Sequence, residues 1–214
     1  MAHGGFDFYK LDSFLTDQQR RVRDAVREYV QQEVLPGINP YWDRAEFPRE
    51  IALKMRDIDP PILGGIIRGW GSAGLDSLEM GLVMYELARG DGSISTFYGV
   101  QSGLAMGSIG LLGSDGQRER WLPAMARLEK IGAFGLTEPE HGSDATSIET
   151  TARRDGDVYV LNGAKRWIGN ASISDVLIIW ARDEEGGIGG FVGGGPPRAP
   201  GPGIRDPTGK IAKR

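Results

Sequence analysis

The chain has no cysteine among its 214 residues. Disulfide staples, thiolate metal sites and thiol nucleophiles are thereby excluded. Histidine is almost as scarce: only His3 and His141 occur, too few for a histidine-rich metal centre. No metal site is expected, and no Ser-His-Asp triad on core residues. No apolar run reaches the length of a membrane span, and the N-terminus lacks the basic-then-apolar layout of a secretion signal. Neither sign of charge dominates. The 25 Lys and Arg against 29 Asp and Glu leave −4, which offers no electrostatic basis for binding nucleic acid or an anionic membrane surface. A soluble cytoplasmic protein is the default expectation.

What is present is a globular composition, 40% hydrophobic and 25% charged, enough for one large or two small domains. Met1–Leu15 reads as a loosely ordered entry segment. Thr16-Asp-Gln-Gln19 fits a capping box, and Val22, Ala25, Val26, Tyr29, Val30 and Val34 follow at helical spacing. Pro36-Gly37 closes that helix. Pro48 opens a short second helix running to Met55. Asp57–Leu63 is too rich in proline and turn residues for regular helix and reads as a buried loop. Asp76 or Ser77 caps a third helix, Leu78–Arg89, and a fourth covers about Ile94–Leu112. Both lack a continuous polar face, which predicts burial at the centre of a bundle. Ser114-Asp-Gly-Gln117 repeats the capping box and starts a fifth helix through Trp121, Leu122 and Met125.

From Ile131 the period changes. Ala133–Thr137, Ile148–Arg154, Val158–Leu161, Val176–Arg182 and Ile188–Val192 are short and alternating or β-branched, as strands are. The predicted class is α+β. An all-α helical bundle over residues 1–130 precedes an incomplete antiparallel β domain over 131–214. Many of the 33 glycines fall after Gly186, and Gly193–Pro207 has the composition of a linker.

Within this second part, Ala133–Asp144 and Asn162–Ala171 are polar, glycine-containing loops. Two runs around the turn Asp155-Gly-Asp separate them, which predicts a hairpin. Thr137 and Ser143 are compact hydrogen-bond donors, and Gly135, Gly142 and Gly169 let backbone approach closely. Trp167 offers a flat apolar face suited to a planar ring system. Taken singly, each feature also suits an ordinary strand-ending turn or a core tryptophan. Their combination and spacing are what distinguish them.

The Leu-Thr-Glu-Pro-x-x-Gly-Ser-Asp run and the later Lys-Arg-Trp-Ile-Gly-Asn resemble the two flavin-binding segments of the acyl-CoA dehydrogenase family. The resemblance extends from Phe14 to about Phe191 and is closest to the branch with glutaryl-CoA dehydrogenase and short-chain acyl-CoA oxidases. Thr208–Arg214 again resembles the family's continuation. The resemblance implies FAD as cofactor. It assigns flavin contacts to Phe134, Leu136, Thr137, Gly142 and Ser143 in the first loop, and to Trp167, Ile168 and Gly169 in the second. Ser143 would lie where FAD and acyl-CoA come close. Gly169 stands where the family often has threonine, so a hydroxyl beside the flavin's reactive nitrogen would be replaced by backbone or water. Glu138 and Asp144 would fix the loop, and His141 reads as a loop-surface residue.

The resemblance also implies α,β-dehydrogenation of an acyl-CoA thioester, with a carboxylate taking the α-proton while hydride leaves the β-carbon. In the family that glutamate lies in a C-terminal helical domain beyond the matching span, so no catalytic residue is assigned here and the chain reads as truncated. Glutaryl-specific relatives have Glu and Arg where this chain has Ala88 and Ser95. Without an Arg fork for a distal carboxylate, a monocarboxylic acyl group is the expected substrate, with Ser95 beside it. The implied partners are acyl-CoA and an electron acceptor, either electron-transfer flavoprotein or oxygen, in a dimer or tetramer. An acyl-CoA oxidase is the alternative within enzymes. A non-catalytic subunit completing a shared flavin site is the alternative outside them.

Overall fold

The computed structural model describes residues 9–194 and 205–206. Most of the glycine-rich stretch Gly193–Pro207, the segment 1–8 and the tail 207–214 lie outside the described residues. Compact packing divides the chain into two units, Met1–Ile62 with Leu75–Ser95, and Leu63–Gly74 with Thr96–Arg214.

The first unit is helical. A short 3-10 turn, Leu11–Phe14, precedes α1 (Asp17–Tyr29). The predicted capping box is present: the Thr16 hydroxyl accepts from the Gln19 amide, and the Gln19 side chain accepts from the Thr16 amide. The helix then widens into a π-helical turn, Val30–Val34, before α2 (Leu35–Gly37), α3 (Asn39–Arg44) and α4 (Arg49–Leu53). The last runs on as a 3-10 turn, Lys54–Asp57. Later in the chain α5 (Ser77–Gly90) packs against α1, burying Val83 and Leu87 with Val22, Val26 and Val30.

The sequence predicts α5 as a helix apolar on nearly every side and therefore central. The structure differs. Leu78 and Tyr85 are exposed at 49% and 62%, whereas Glu79 and Glu86 are buried. The reason is a tertiary ion pair: Arg27 of α1 reaches Glu86 at 2.6 Å and Arg89 approaches it at 2.6 Å from the other side. A buried carboxylate with two guanidinium partners can turn inward, and it rotates the apolar residues opposite it outward.

Asp76 caps α5 and does more than cap. Its carboxylate accepts from the Glu79 amide at 2.7 Å and from the Gln19 side chain at 3.0 Å, joining the starts of α1 and α5. Asp76→Ala is expected to lower unfolding free energy by about 1–2 kcal/mol, the loss of a cap plus one further hydrogen bond. Urea denaturation should show a lower midpoint at unchanged slope.

The second unit holds the sheet. A two-stranded ribbon, β1 (Arg68–Gly69) with β2 (Ser72–Ala73), lies within Leu63–Gly74. The predicted fourth helix is not uniform. After α6 (Gly92–Tyr98), which crosses from one unit to the other, comes a π-helical stretch, Gly99–Met106, then α7 (Gly107–Leu112). Its outer turns expose Leu104, Leu111 and Leu112, so this helix too is only partly buried. Helix α8 (Asp115–Ala126) opens with the predicted capping box at Ser114 and Gln117.

The strands are β3 (Gly132–Gly135), β4 (Thr151–Asp155), β5 (Val158–Asn162), β6 (Val176–Asp183), β7 (Ile188–Gly194) and β8 (Arg205–Asp206). The order is β3-β6-β4-β5-β8, with β7 also on β6. The α+β class with a small sheet domain therefore stands, and the purely antiparallel direction is corrected. Pairs β4–β5, β5–β8 and β6–β7 are antiparallel, but β3–β6 and β4–β6 are parallel. Parallel pairing needs a long connection rather than a tight turn. The hairpin and loops between β3 and β6 supply one.

One apolar cluster joins helix and sheet inside this unit. Ala105, Met106, Ile109, Trp121, Leu122 and Met125 pack with Val176, Ile178 and Val192. The predicted boundary near Lys130 separates helical from sheet residues, while the packing unites α7, α8 and the sheet.

Candidate functional site

The two loops predicted to carry the chemistry follow β3 and β5, and they run side by side. The Arg166 amide donates to the Thr137 carbonyl at 2.9 Å. Beside it, the Lys165 ammonium donates to the Leu136 carbonyl at 2.9 Å and to the Glu138 carboxylate at 2.7 Å. Gly135 leaves room for this. A Cβ there would stand 2.7 Å from Ile179 Cδ1 and 3.4 Å from Lys165 Cγ.

Glu138 is the hub. It is buried, and besides Lys165 it accepts from the amides of Glu149 and Thr150, at 2.6 and 2.9 Å, and from the Thr150 hydroxyl. Burial works against its charge, but the hydrogen bonds from Lys165, the Thr150 hydroxyl and the two amides outweigh it and hold the carboxyl down to about 2. On Lys165 burial is the larger influence, and its pKa is lowered despite the attraction of Glu138.

A carboxyl whose folded pKa lies below its ordinary 4.5 stabilises the fold fully above that value. The contribution drains away as pH falls from 4.5 toward about 2. Glu138→Gln should flatten this limb of the pH–stability curve, which thermal melts between those limits would measure.

The loop surface facing away from this hub is open. Trp167 is 80% exposed, with backbone φ of 60°. A left-handed backbone at a bulky aromatic costs about 1–3 kcal/mol and persists where the surroundings enforce it. Here the surroundings are the Arg166–Thr137 bond on one side and Asn170 on the other, whose side chain donates to the Gly132 carbonyl at 3.1 Å. The Arg166 guanidinium lies 4.6 Å from the Trp167 ring centroid, covering one face. Among the described residues the hydroxyls of Thr137 and Ser143 make no hydrogen bond. An exposed indole and uncommitted donors next to it fit a planar ring with polar edges, as a flavin has.

Of the predicted contact residues, Leu136, Thr137 and Trp167 are brought together by the ties between the loops. Ile168 and Gly169 follow directly, both half-buried. A Cβ at Gly169 would stand 2.9 Å from Val100 Cγ2, so the π-helical stretch sets the space at this position. Phe134 sits on β3 opposite Ile178, with its ring 6.0 Å from that of Trp180. Gly142 and Ser143 lie on the exposed tip of the first loop. Ser95 belongs to the other compact unit and is buried, with its hydroxyl donating to the Met84 carbonyl at 3.4 Å. Sequence reasoning missed Lys165, Thr150 and Val100. Lys165 stood in view as the cation of the second motif, but its partner 27 residues away is a tertiary fact.

A helical N-terminal region followed by a sheet that presents two stapled loops is the architecture of a flavin-binding oxidoreductase. The chain belongs to the acyl-CoA dehydrogenase family. The family's N-terminal domain profile matches residues 16–129 and its middle domain profile residues 133–213. It is 37% identical to a 3-(aryl)acrylate reductase of Clostridium sporogenes over 80% of this chain and 45% of that protein. Identity to mitochondrial isovaleryl-CoA dehydrogenase of Pongo abelii is 33%, over 79% of this chain and 40% of that one. The chain thus spans less than half the length of these curated relatives. Glutaryl-CoA dehydrogenase from Mycobacterium smegmatis superposes with a TM-score of 0.87 at 37% identity, covering 96% of this chain and 58% of that one. A second glutaryl-CoA dehydrogenase structure from the same organism, in complex with FADH2, gives 0.86 at 31% identity, covering 96% of this chain and 58% of that one.

Proposed function

We propose that this chain forms the N-terminal domain, up to about Lys130, and the middle domain of an enzyme that uses FAD to dehydrogenate an acyl-CoA thioester between its α- and β-carbons. The observation carrying this reading is the pairing of an exposed Trp167 with the uncommitted Thr137 hydroxyl, fixed beside each other by the bonds between their loops. FAD, when bound, supplies the acceptor for the hydride that leaves the β-carbon. Thr137 would donate to a polar ring edge, and Trp167 and Ile168 would cover a face. Phe134, Leu136, Gly142 and Gly169 would shape the surround, and Ser143 would reach toward both FAD and acyl-CoA.

No general base is assigned. Glu138 is committed to Lys165, Thr150 and two amides, and a carboxylate held at about 2 is a poor proton acceptor near neutrality. Ala88 and Ser95 enter as small neutral residues that leave no cation for a distal carboxylate, so a short monocarboxylic acyl-CoA is the proposed substrate. The acceptor would be electron-transfer flavoprotein or oxygen, the latter making the enzyme an oxidase. A cytoplasmic oligomer is part of the same proposal. The identity to a 3-(aryl)acrylate reductase favours a second reading, in which the same loops serve reduction of an α,β-double bond.

An 80% exposed Trp167 encloses little of a ligand, whereas tight cofactor sites bury ~70–90% of it. The 214-residue polypeptide is therefore expected to bind FAD weakly but saturably, measured by quenching of flavin fluorescence. It should reduce no dye with acyl-CoA. In an enzyme completed with a relative's remaining domain, kcat/KM should favour a short unbranched acyl-CoA over glutaryl-CoA. Absence of saturable quenching would overturn the FAD reading, and a glutaryl preference the substrate class.

A further inference from the structure

We infer that Lys165 is a positioning residue for the ligand site: its grip on the Leu136 carbonyl and the Glu138 carboxylate sets where Trp167 stands relative to Thr137. The inference rests on the FAD reading for the identity of the ligand, but the positioning itself is read from the loops. Three bonds join the loops within two residues of Trp167, and Lys165 makes two of them. Its side chain is 10% exposed and that of Glu138 4%. Burying such an ion pair carries a desolvation cost that an apolar filling of the same space would avoid, so the pair contributes directed bonds rather than net stability. Those bonds fix the register of two adjacent loops. They leave the Arg166 amide opposite the Thr137 carbonyl, and the next residue, Trp167, is then held in its left-handed backbone conformation with its ring outward.

Glu138 is anchored independently of Lys165, through Thr150 and the Glu149 amide. The start of β4, the first loop and the second loop are thus connected in that order, with Lys165 as the last link. Removing it frees the second loop while the first stays attached.

The test compares the wild-type 214-residue chain with Lys165→Met, Lys165→Arg and the double variant Glu138→Gln/Lys165→Met, which leaves no unpaired buried charge. Hydrogen exchange at the Arg166 amide reports the loop-to-loop bond without any ligand. FAD titration and the flavin difference spectrum report the site. Misplacing a contact by about 1 Å can cost on the order of a hundredfold. The double variant, with a melting transition close to wild type, should exchange Arg166 at least about tenfold faster and bind FAD about tenfold more weakly with an altered flavin spectrum, and Lys165→Arg should restore part of each. Unchanged Arg166 exchange in a folded double variant overturns the inference. So does faster exchange with wild-type FAD affinity and spectrum. If the wild-type chain takes up no FAD, the FAD reading falls by itself, and Arg166 exchange alone decides whether Lys165 holds the loops.

Discussion

Gly132→Val is expected to cost about 3–5 kcal/mol of stability, the largest effect of any single substitution considered, because it overpacks a site that cannot yield. Gly132 is buried where β3 meets the π-helical stretch. Even a Cβ would stand 2.6 Å from Ala105 Cβ and 2.7 Å from Met125 Cε. The methionine end can swing aside, but Ala105 can move only with its backbone. That backbone is held in turn. Gln101 accepts from the Gly132 amide at 2.6 Å and donates to the carbonyls of Met125 and Lys130 at 3.0 and 3.1 Å. Gly132→Val should therefore lower the urea midpoint steeply or leave the unit unfolded. Gly116→Ala is the control. No atom lies within 4 Å of a Cβ there, so it should be neutral or stabilising by up to about 1 kcal/mol. Equal effects at the two glycines would refute the packing argument.

Trp167→Gly is expected to move stability and ligand binding in opposite directions. The indole is 80% exposed, so little apolar burial is lost with it. Its φ of 60° suits glycine, and relief of a left-handed strain of about 1–3 kcal/mol offsets the extra chain entropy of glycine, about 0.5–1 kcal/mol. Thermal stability should hold or rise slightly. Ring stacking on an aromatic side chain contributes about 1–3 kcal/mol, so FAD affinity should fall by roughly five- to hundredfold. A residue serving only the fold would show the reverse. Flavin titration and a melting curve on the same sample separate the two. A destabilised variant with unchanged FAD affinity would remove Trp167 from the site.

Local signals in the sequence translated directly into structure. Thr16, Asp76 and Ser114 each sit three residues before a Glu or Gln, and all three capping boxes form. The Asp155-Gly156 turn closes the β4–β5 hairpin, with Gly156 at φ 62°. The two loop motifs were also legible, because flavin-loop wording is contiguous. What was illegible depends on residues far apart. Helix α5 looked uniformly apolar because an Arg27–Glu86 pair cannot be read from either helix alone. The parallel partners of β6 are set by a crossover rather than by alternation within a strand. Lys165 looked like one polar residue among several until Glu138 was found 2.7 Å away.

The π-helical stretch Gly99–Met106 makes this part of the chain intolerant of changes in length. A π-helix accommodates an extra residue that an α-helix would exclude. Deleting Gly103 could let the ladder close as α-helix, but each α-helical residue turns the chain by about 100°. Everything after the deletion would then be rotated by roughly that angle relative to Phe97 and Tyr98. Ile109, now fully buried against the sheet cluster, would swing out of it, and Gln101 and Ala105 could not both keep their places at Gly132. Point changes along Gly99–Met106 can be absorbed one side chain at a time, whereas insertions and deletions cannot. A library of single-residue deletions should therefore be depleted through this stretch and tolerated at the Asp183–Gly187 turn, a contrast in permitted length rather than in permitted chemistry.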